Sequence, residues 1–312
     1  MKVTWDNQEK LPTIEVRNVR RGEDGRNETE EMYLFSSDQD VSGKVEVILP
    51  ANTRKLEHNG IKVELIGQLE HVQDRGNHQI LVSTQYELAP PGVMTKDTCY
   101  SFEFKAKEPQ KDFESYNGTN VKLRYFVRVR ILRSYGTVSK EFEFGVQKAT
   151  AAPEVNNPLK MEVGIEDCLH IEFEYDKSKY FLTDVINGKI SFVLVRIKIK
   201  HMELQILKRE TAGSGADVCN ESEVVTKFEI MDGAPIKGEI IPIRVFLEPY
   251  QLTPTFAPAN AKFSVKYFLN LVLIDEEERR YFKQQEIIIW RKDLKRAQSA
   301  TDSSLFFSLA RS

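Results

Sequence analysis

Cys168 and His170 are the two residues whose types and spacing come closest to a catalytic pair. A cysteine becomes a nucleophile when a histidine lies within hydrogen-bond reach of its sulfur. Residues two apart on a strand share a face, so Cys168 and His170 would meet if one strand held both. The sequence marks no third residue that would orient the histidine and no oxyanion site, and we therefore do not predict catalysis by this pair.

The motifs that usually identify an active site are absent from the sequence. It contains no GxSxG, no GxxxxGKS/T, no HExxH and no GxGxxG between a strand and a helix. The acidic run at residues 275–278 lacks the spaced ligands and the glycine of a calcium loop, so we expect a solvated hairpin turn there, paired with Arg279 and Arg280. The sequence predicts no enzyme, no metal and no cofactor.

The three cysteines, Cys99, Cys168 and Cys219, are widely spaced and form no CxxC pair. This pattern argues against a disulfide framework or a zinc site and favours a reducing compartment. Residues 1–10 do not resemble a secretory signal, and no apolar run approaches the ~20 residues of a membrane span. These observations predict a cytoplasmic protein.

The 312 residues include 44 basic and 47 acidic side chains, which gives a net charge of −3. Such a balance supplies no general cationic field for a phosphate backbone, so nucleic acid is not an expected partner. It also includes no polybasic cluster of the kind that binds anionic lipid headgroups. We expect the chain to reach a membrane only peripherally, through its partners.

The elements that must position any functional residue are β-strands. Apolar and polar residues alternate at residues 41–47 and 61–65, and further strands are predicted at residues 101–107, 121–132, 140–146, 170–175, 189–207, 240–247, 262–274 and 280–290. Turn signals occur at Asn59-Gly60, Asn117-Gly118, Asn187-Gly188 and Asp232-Gly233. The pattern predicts an all-β protein built of hairpins.

Two pairs of segments suggest that one β-sandwich is written twice. VSGKV at residues 41–45 resembles INGKI at residues 186–190, and a segment around Tyr125 resembles one around Tyr267. A stretch rich in Pro, Ala and Asn separates the two halves. We predict an N-terminal domain at residues 1–150, a linker at 151–158, a C-terminal domain at 159–292 and a disordered tail at 293–312.

Long strings of residues resemble the vacuolar protein sorting-associated protein 26 family, the arrestin-like subunit of retromer. The strings are MEVGIEDCLHIEFEY at residues 161–175, FEIMDGAP at 228–235 and RRYFKQQEII at 279–288, with shorter ones at 33–35, 41–45 and 56–61. The resemblance covers about residues 31–292. It implies an arrestin-like fold of two β-sandwich domains joined by a short linker.

The resemblance also implies a function and partners. A member of this family binds the large α-solenoid retromer subunit and, with sorting nexins, helps to select transmembrane cargo tails on endosomes for return to the Golgi or plasma membrane. The implied contact with the large subunit involves Ile230, Met231, Asp232 and Gly233. Because neighbouring residues of a strand point to opposite faces, we expect one of Ile230 and Met231 to face outward, and the alternative is that Ile230 lies in the core.

A second implied site lies where a sorting nexin would meet this chain and hold an apolar cargo residue. The matching positions are Val163 and Phe282, and the alternative is that both are ordinary core residues. Two other classes of function also stay open. One is an arrestin-domain adaptor that binds phosphorylated receptor tails directly through a basic strand at residues 124–133, and the other is an enzyme or lipid carrier with its site in a sandwich cleft.

Overall fold

β-Strands form almost all of the regular structure in this protein. The structure is a computed structural model that describes residues 1–21, 27–49, 53–72, 78–107, 111–165, 167–213, 218–258 and 263–292. The described residues include one short helix, a 3-10 turn at Gln8–Lys10. The all-β prediction is confirmed, and the predicted tail at residues 293–312 lies outside the described residues.

The chain divides into two units, Met1–Lys148 and Ala149–Ser312. The strands of the first unit are β1 (Lys2–Trp5), β2 (Thr13–Arg21), β3 (Asn27–Ser36), β4 (Val41–Val47), β5 (Leu56–His58), β6 (Ile61–His71), β7 (His78–Ala89), β8 (Gly92–Met94), β9 (Thr98–Phe104), β10 (Tyr116–Asn117), β11 (Val121–Arg133) and β12 (Gly136–Gln147). Those of the second unit are β13 (Leu159–Ile165), β14 (Leu169–Tyr175), β15 (Lys179–Phe181), β16 (Val185–Val195), β17 (Ile199–Ala212), β18 (Cys219–Asp232), β19 (Ile240–Phe246), β20 (Phe263–Asp275) and β21 (Arg280–Trp290).

The two units repeat one strand order. The larger sheet of the first unit contains the path β3-β12-β11-β6-β7, and the larger sheet of the second is β15-β21-β20-β17-β18. In each path the first pair is parallel and the following pairs are antiparallel. The smaller sheets are β1-β4-β9 in the first unit and β13-β14-β16-β19 in the second.

A cluster of aromatic rings joins the two main sheets of the first unit. Trp5 and Phe102 lie in the smaller sheet, and Phe35 and Phe144 lie in the larger one. The ring of Trp5 meets those of Phe35, Phe102 and Phe144 edge to face, with centroids 5.4, 6.0 and 5.5 Å apart. All four residues are buried, so the sheets pack face to face as a sandwich.

The paired glycines of the internal repeat occupy matching positions. Gly43 lies on β4 and Gly188 on β16, each within a smaller sheet. A methyl group at Gly43 would lie 2.5 Å from the carbonyl oxygen of Thr4, and one at Gly188 would lie 2.6 Å from that of Glu174. Each glycine therefore allows a neighbouring strand to approach closely.

The paired tyrosines of the repeat also match. Tyr125 on β11 and Tyr267 on β20 are both fully buried. The hydroxyl of Tyr125 donates to the carbonyl oxygen of Phe113 at 3.0 Å, and that of Tyr267 accepts from the backbone N–H of Thr253 at 3.1 Å. Each tyrosine thus anchors a loop to the central strand of its unit.

Two local predictions are wrong. The strand predicted at residues 189–207 is two strands, because the chain passes from the four-stranded sheet to the five-stranded sheet between β16 and β17. Asn187-Gly188 is not a turn, because both residues lie within β16. The turn predicted at Asn59-Gly60 is confirmed, since the pair separates β5 from β6 and Gly60 has a φ of 125°.

Strands β18 and β19 are among the strands of the second unit that lie at sheet edges. β18 is the edge strand of the five-stranded sheet, and β19 is an edge strand of the four-stranded sheet. Pro242 lies within β19, opposite Lys189 of β16. Proline has no N–H to donate and is tolerated in a sheet at such an edge.

Candidate functional site

Ile230 and Met231 lie at the end of edge strand β18, where its pairing with β17 is irregular. Met231 pairs with Met202 and Glu229 pairs with Glu203, so Ile230 is an extra residue in a β-bulge. The bulge interrupts the simple alternation that the sequence predicts for this pair. Both side chains are half-buried, and neither belongs to the buried core.

The inner face of the sheet explains the burial of Met231. Its partner Met202 is fully buried, and residues directly opposite each other in an antiparallel pair share a face. Met231 therefore lies at the open margin of the core. An apolar side chain held there keeps part of its surface in contact with solvent, and this part can be buried against a partner.

An exposed loop follows this pair. Asp232 and Gly233 are exposed, Gly233 has a φ of 119°, and its N–H donates to the carbonyl oxygen of Lys200 at 2.8 Å. β18 therefore ends at this pair, although the hydrogen bond of Gly233 runs to the neighbouring strand β17 and does not close a turn. We call residues 230–233 the tip. Three residues beyond it, the side chain of Ile236 is 71% exposed. Sequence reasoning missed Ile236, although an isoleucine directly after Pro235 in a loop that contains two glycines is the signal that would have found it.

Charged residues of β17 and of the turn after β20 lie beside the tip. Lys200 forms an ion pair with Glu278, and Lys198 lies 3.5 Å from Glu276. The hydrogen bond from Lys200 holds the pKa of Glu278 below its ordinary value and raises the pKa of Lys200. An apolar pair with charged residues nearby is the usual composition of a protein-binding surface.

The same turn is organised around Asp275. Its carboxylate is 2% exposed and accepts from the backbone N–H of Arg279 at 2.9 Å, from the Nε of Arg279 at 2.7 Å and from the hydroxyl of Tyr281 at 3.0 Å. Burial acts to raise the pKa of Asp275, but these hydrogen bonds outweigh it and hold the pKa below its ordinary value. The hairpin turn predicted at residues 275–278 is confirmed, although Asp275 itself is not solvated.

Val163 and Phe282 lie in different sheets of the second unit. Val163 is half-buried on edge strand β13, opposite the fully buried Ile171, and so belongs to the inner face of the four-stranded sheet. Phe282 lies on β21 opposite Val272 and is 68% exposed. An exposure of that size excludes the alternative in which Phe282 is an ordinary core residue. The pocket that these two residues would form stays a prediction.

Cys168 and His170 do not share a strand. Cys168 lies in the turn before β14, where its N–H donates to the carbonyl oxygen of Ile165 at 3.0 Å, whereas His170 lies within β14. The argument that places residues two apart on one face therefore does not apply to them. His170 lies 3.8 Å from Glu172, and together with Glu162 these residues form one of two groups that could hold a metal ion. The other group is His201, Glu229 and Asp232.

The basic strand at residues 124–133 is neutralised by carboxylates of the same sheet. Arg124 and Arg128 also stack over the ring of Phe126, with distances of 4.5 and 5.2 Å to its centroid. The ion pairs join Arg124 to Glu70, Glu141 and Glu143, Arg128 to Glu141 and Glu64, and Arg130 to Glu64. These arginines are therefore engaged within the sheet, which argues against a docking surface for phosphorylated tails.

Comparison with known proteins decides the family. Residues 1–278 match the family model of vacuolar protein sorting-associated protein 26. The chain belongs to the vacuolar protein sorting-associated protein 26 family. It is 57% identical to human vacuolar protein sorting-associated protein 26B over 276 residues, which cover 88% of this chain and 81% of that protein. It is 54% identical to the Dictyostelium discoideum protein of the same family over 288 residues, which cover 92% of this chain and 80% of that protein.

Membership of the vacuolar protein sorting-associated protein 26 family agrees with the fold. The family is arrestin-like, and the prediction of an all-β chain with two β-sandwich domains is confirmed. The family is named for protein sorting and not for a catalytic activity. The described part of the chain contains no helix with the length and apolar character that crossing a membrane requires.

Proposed function

We propose that this chain is a non-enzymatic retromer subunit that binds the large α-solenoid retromer subunit through its tip. With sorting nexins, it helps to select transmembrane cargo for transport from endosomes to the Golgi or plasma membrane. The observation that carries the proposal is the half-buried pair of Ile230 and Met231 at a bulge on the edge strand β18. Ile236, three residues beyond the tip along the chain, adds a further exposed apolar side chain.

The bulge explains why the tip suits a protein partner. A bulge bends the edge strand and locally disrupts its ladder, which discourages unselective pairing with another strand. It leaves Ile230 without a partner on β17, next to Met231 at the margin of the core. Met231 adds a flexible thioether that adapts to an irregular groove between helices.

The structure sets the expected size of the contribution from this pair. Complete burial of one such side chain stabilises a complex by roughly 1.5–3 kcal/mol. Because Ile230 and Met231 are each already about two-thirds buried or more, roughly a quarter of that amount remains for each, or about 0.8–1.5 kcal/mol together. This corresponds to about 4- to 12-fold in affinity. Complete burial of two fully exposed side chains would have contributed about four times as much free energy.

Calorimetry with the purified large subunit tests the proposal. The double variant Ile230→Asp, Met231→Asn is expected to bind about 4- to 12-fold more weakly than the parent chain. Val224→Asn is the matched control, because Val224 lies on the same strand, away from the tip, and is 43% exposed. If the double variant is folded and binds within about twofold of the parent, the tip is not the assembly site.

Cargo selection is proposed to use Val163 and Phe282 together with a sorting nexin. The exposed ring of Phe282 supports this part of the proposal, because it offers apolar area to a cargo residue. Association with endosomes is proposed to be peripheral and to depend on these partners. Sedimentation of the purified chain with acidic liposomes at physiological salt tests this, and strong binding by the chain alone would contradict it.

A further inference from the structure

A histidine and two carboxylates meet on the outer face of β17 and β18, where Asp232 of the tip is one of the carboxylates. His201 pairs with Asp232 across the two strands. An imidazole nitrogen of His201 and one carboxylate oxygen each of Glu229 and Asp232 all lie within 4.8 Å of one another. Imidazole and carboxylate together are a donor set suited to divalent transition cations.

The bulge at Ile230 is what brings the third donor into this group. Glu229 and Asp232 are three residues apart, so a regular strand would place them on opposite faces. The extra residue shifts the register, so that Glu229 pairs with Glu203 while Asp232 pairs with His201. His201 and Glu203 are two apart on β17 and share its outer face, and both carboxylates of β18 therefore face that side too.

Glu203 adds a fourth donor beside the group. One of its oxygens accepts a hydrogen bond from the amide of Gln205, and the other lies 3.7 Å from Nε2 of His201. The side chains of His201 and Glu203 are only 26% and 18% exposed. Three carboxylates lie around the imidazole, and their negative charges favour a dication. The nearby cation Lys200 is held by Glu278.

We propose that His201, Glu229 and Asp232, with Glu203 beside them, form a binding site for a divalent transition cation of the zinc type. Modest side-chain rotations would bring the donors to the 2.0–2.2 Å that zinc requires, because Glu229 and Asp232 are exposed and free to change rotamer. The bound cation would tie together the two residues that flank Ile230 and Met231. This consequence for docking rests on the proposed function, whereas the cation site does not.

The second group, Glu162, His170 and Glu172, is a matched control within the same chain. Its donor atoms also lie within 4.8 Å of one another, but it occupies adjacent strands with regular pairing between Glu162 and Glu172. Its histidine is more exposed, at 35% for His170 against 26% for His201, whereas the carboxylates of both groups are exposed. Greater solvation weakens the attraction between these charges and a cation.

Titration calorimetry of the full chain alone with ZnCl2 tests the site. We expect the parent chain and His170→Asn to bind one zinc ion with the same affinity, and His201→Asn and Glu229→Gln to lose at least about tenfold in affinity. CaCl2 is expected to give no comparable binding, because calcium prefers six to eight oxygen ligands. Thermal denaturation without metal shows whether each variant is folded.

Three results would overturn the site. The first is that His201→Asn and Glu229→Gln, both folded, bind zinc with an affinity within twofold of the parent. The second is that His170→Asn loses zinc binding instead. The third is that the parent chain binds calcium as tightly as it binds zinc. Because no partner is present, these results do not depend on whether the tip docks. Repeating the capture of the large subunit with zinc and with a chelator then measures the consequence for docking separately.

Discussion

Replacing Phe282 by threonine isolates the cargo contact from the stability of the fold. Phe282 is 68% exposed, so most of its apolar area is available to a partner. Complete burial of a phenylalanine side chain contributes roughly 1.5–3 kcal/mol, and the exposed fraction accounts for about 1–2 kcal/mol of it. We therefore expect Phe282→Thr to weaken cargo binding by about 5- to 30-fold when a sorting nexin is present. Threonine keeps a high preference for β-strands, so the melting temperature should change little.

Fluorescence anisotropy of a labelled cargo peptide, with and without the sorting nexin, measures this change. Ile288→Thr is the control, because Ile288 is 40% exposed and lies on the same strand, six residues from Phe282 and hence on the same face. Peptide affinity within twofold of the parent for Phe282→Thr would refute the contact. Val163→Asp is a poorer probe, because Val163 lies on the inner face opposite Ile171 and a charge there would destabilise the sheet.

Three further outcomes concern stability. Gly43→Ala and Gly188→Ala are each expected to destabilise their unit by about 1–3 kcal/mol, because the added methyl group meets a strand carbonyl oxygen, and an unchanged melting temperature in either would contradict that contact. Glu64→Gln removes the counter-ion of Arg130 and is expected to lower the free energy of unfolding by about 1–3 kcal/mol. An unchanged midpoint of chemical denaturation would contradict this. The pKa of Asp275 lies below 3.8, so its charge contributes stability that is complete above that pH and is lost as the pH falls through the lower folded-state pKa. Urea unfolding between about pH 2 and pH 5 should therefore depend less on pH in Asp275→Asn than in the parent, and equal slopes would show that the carboxylate is not the cause.

Alternation of apolar residues predicted some strands and missed others, such as β7 and β18, in which few residues are buried. β14, β20 and β21 begin and end within one or two residues of the predicted positions. The prediction failed at residues 189–207, where apolar residues continue through the segment in which the chain changes sheets. Composition and periodicity indicate which residues are buried. Because β16 and β17 both contain buried apolar residues, neither signal marks the point at which the chain passes from one sheet to the other.

The candidate site was less predictable than the fold. The residues of the tip were identified by resemblance, since an isoleucine and a methionine before a turn are unremarkable in a strand. The bulge at Ile230 depends on the register between β17 and β18. The sequence of a single strand does not specify that register. Gly188 shows the same limit, because its sequence context is typical of a turn while its contact is with Glu174 on the neighbouring strand.

Pro242 in edge strand β19 has a consequence for a protein that functions in assemblies. Proteins crowded together in an assembly reach local concentrations at which an open strand edge can pair with the edge of a neighbouring molecule. Pro242 has no N–H to donate, so a second strand could pair with β19 only on either side of this residue. Each of those stretches is short, and β19 is thereby protected from open-ended strand pairing when the protein is crowded.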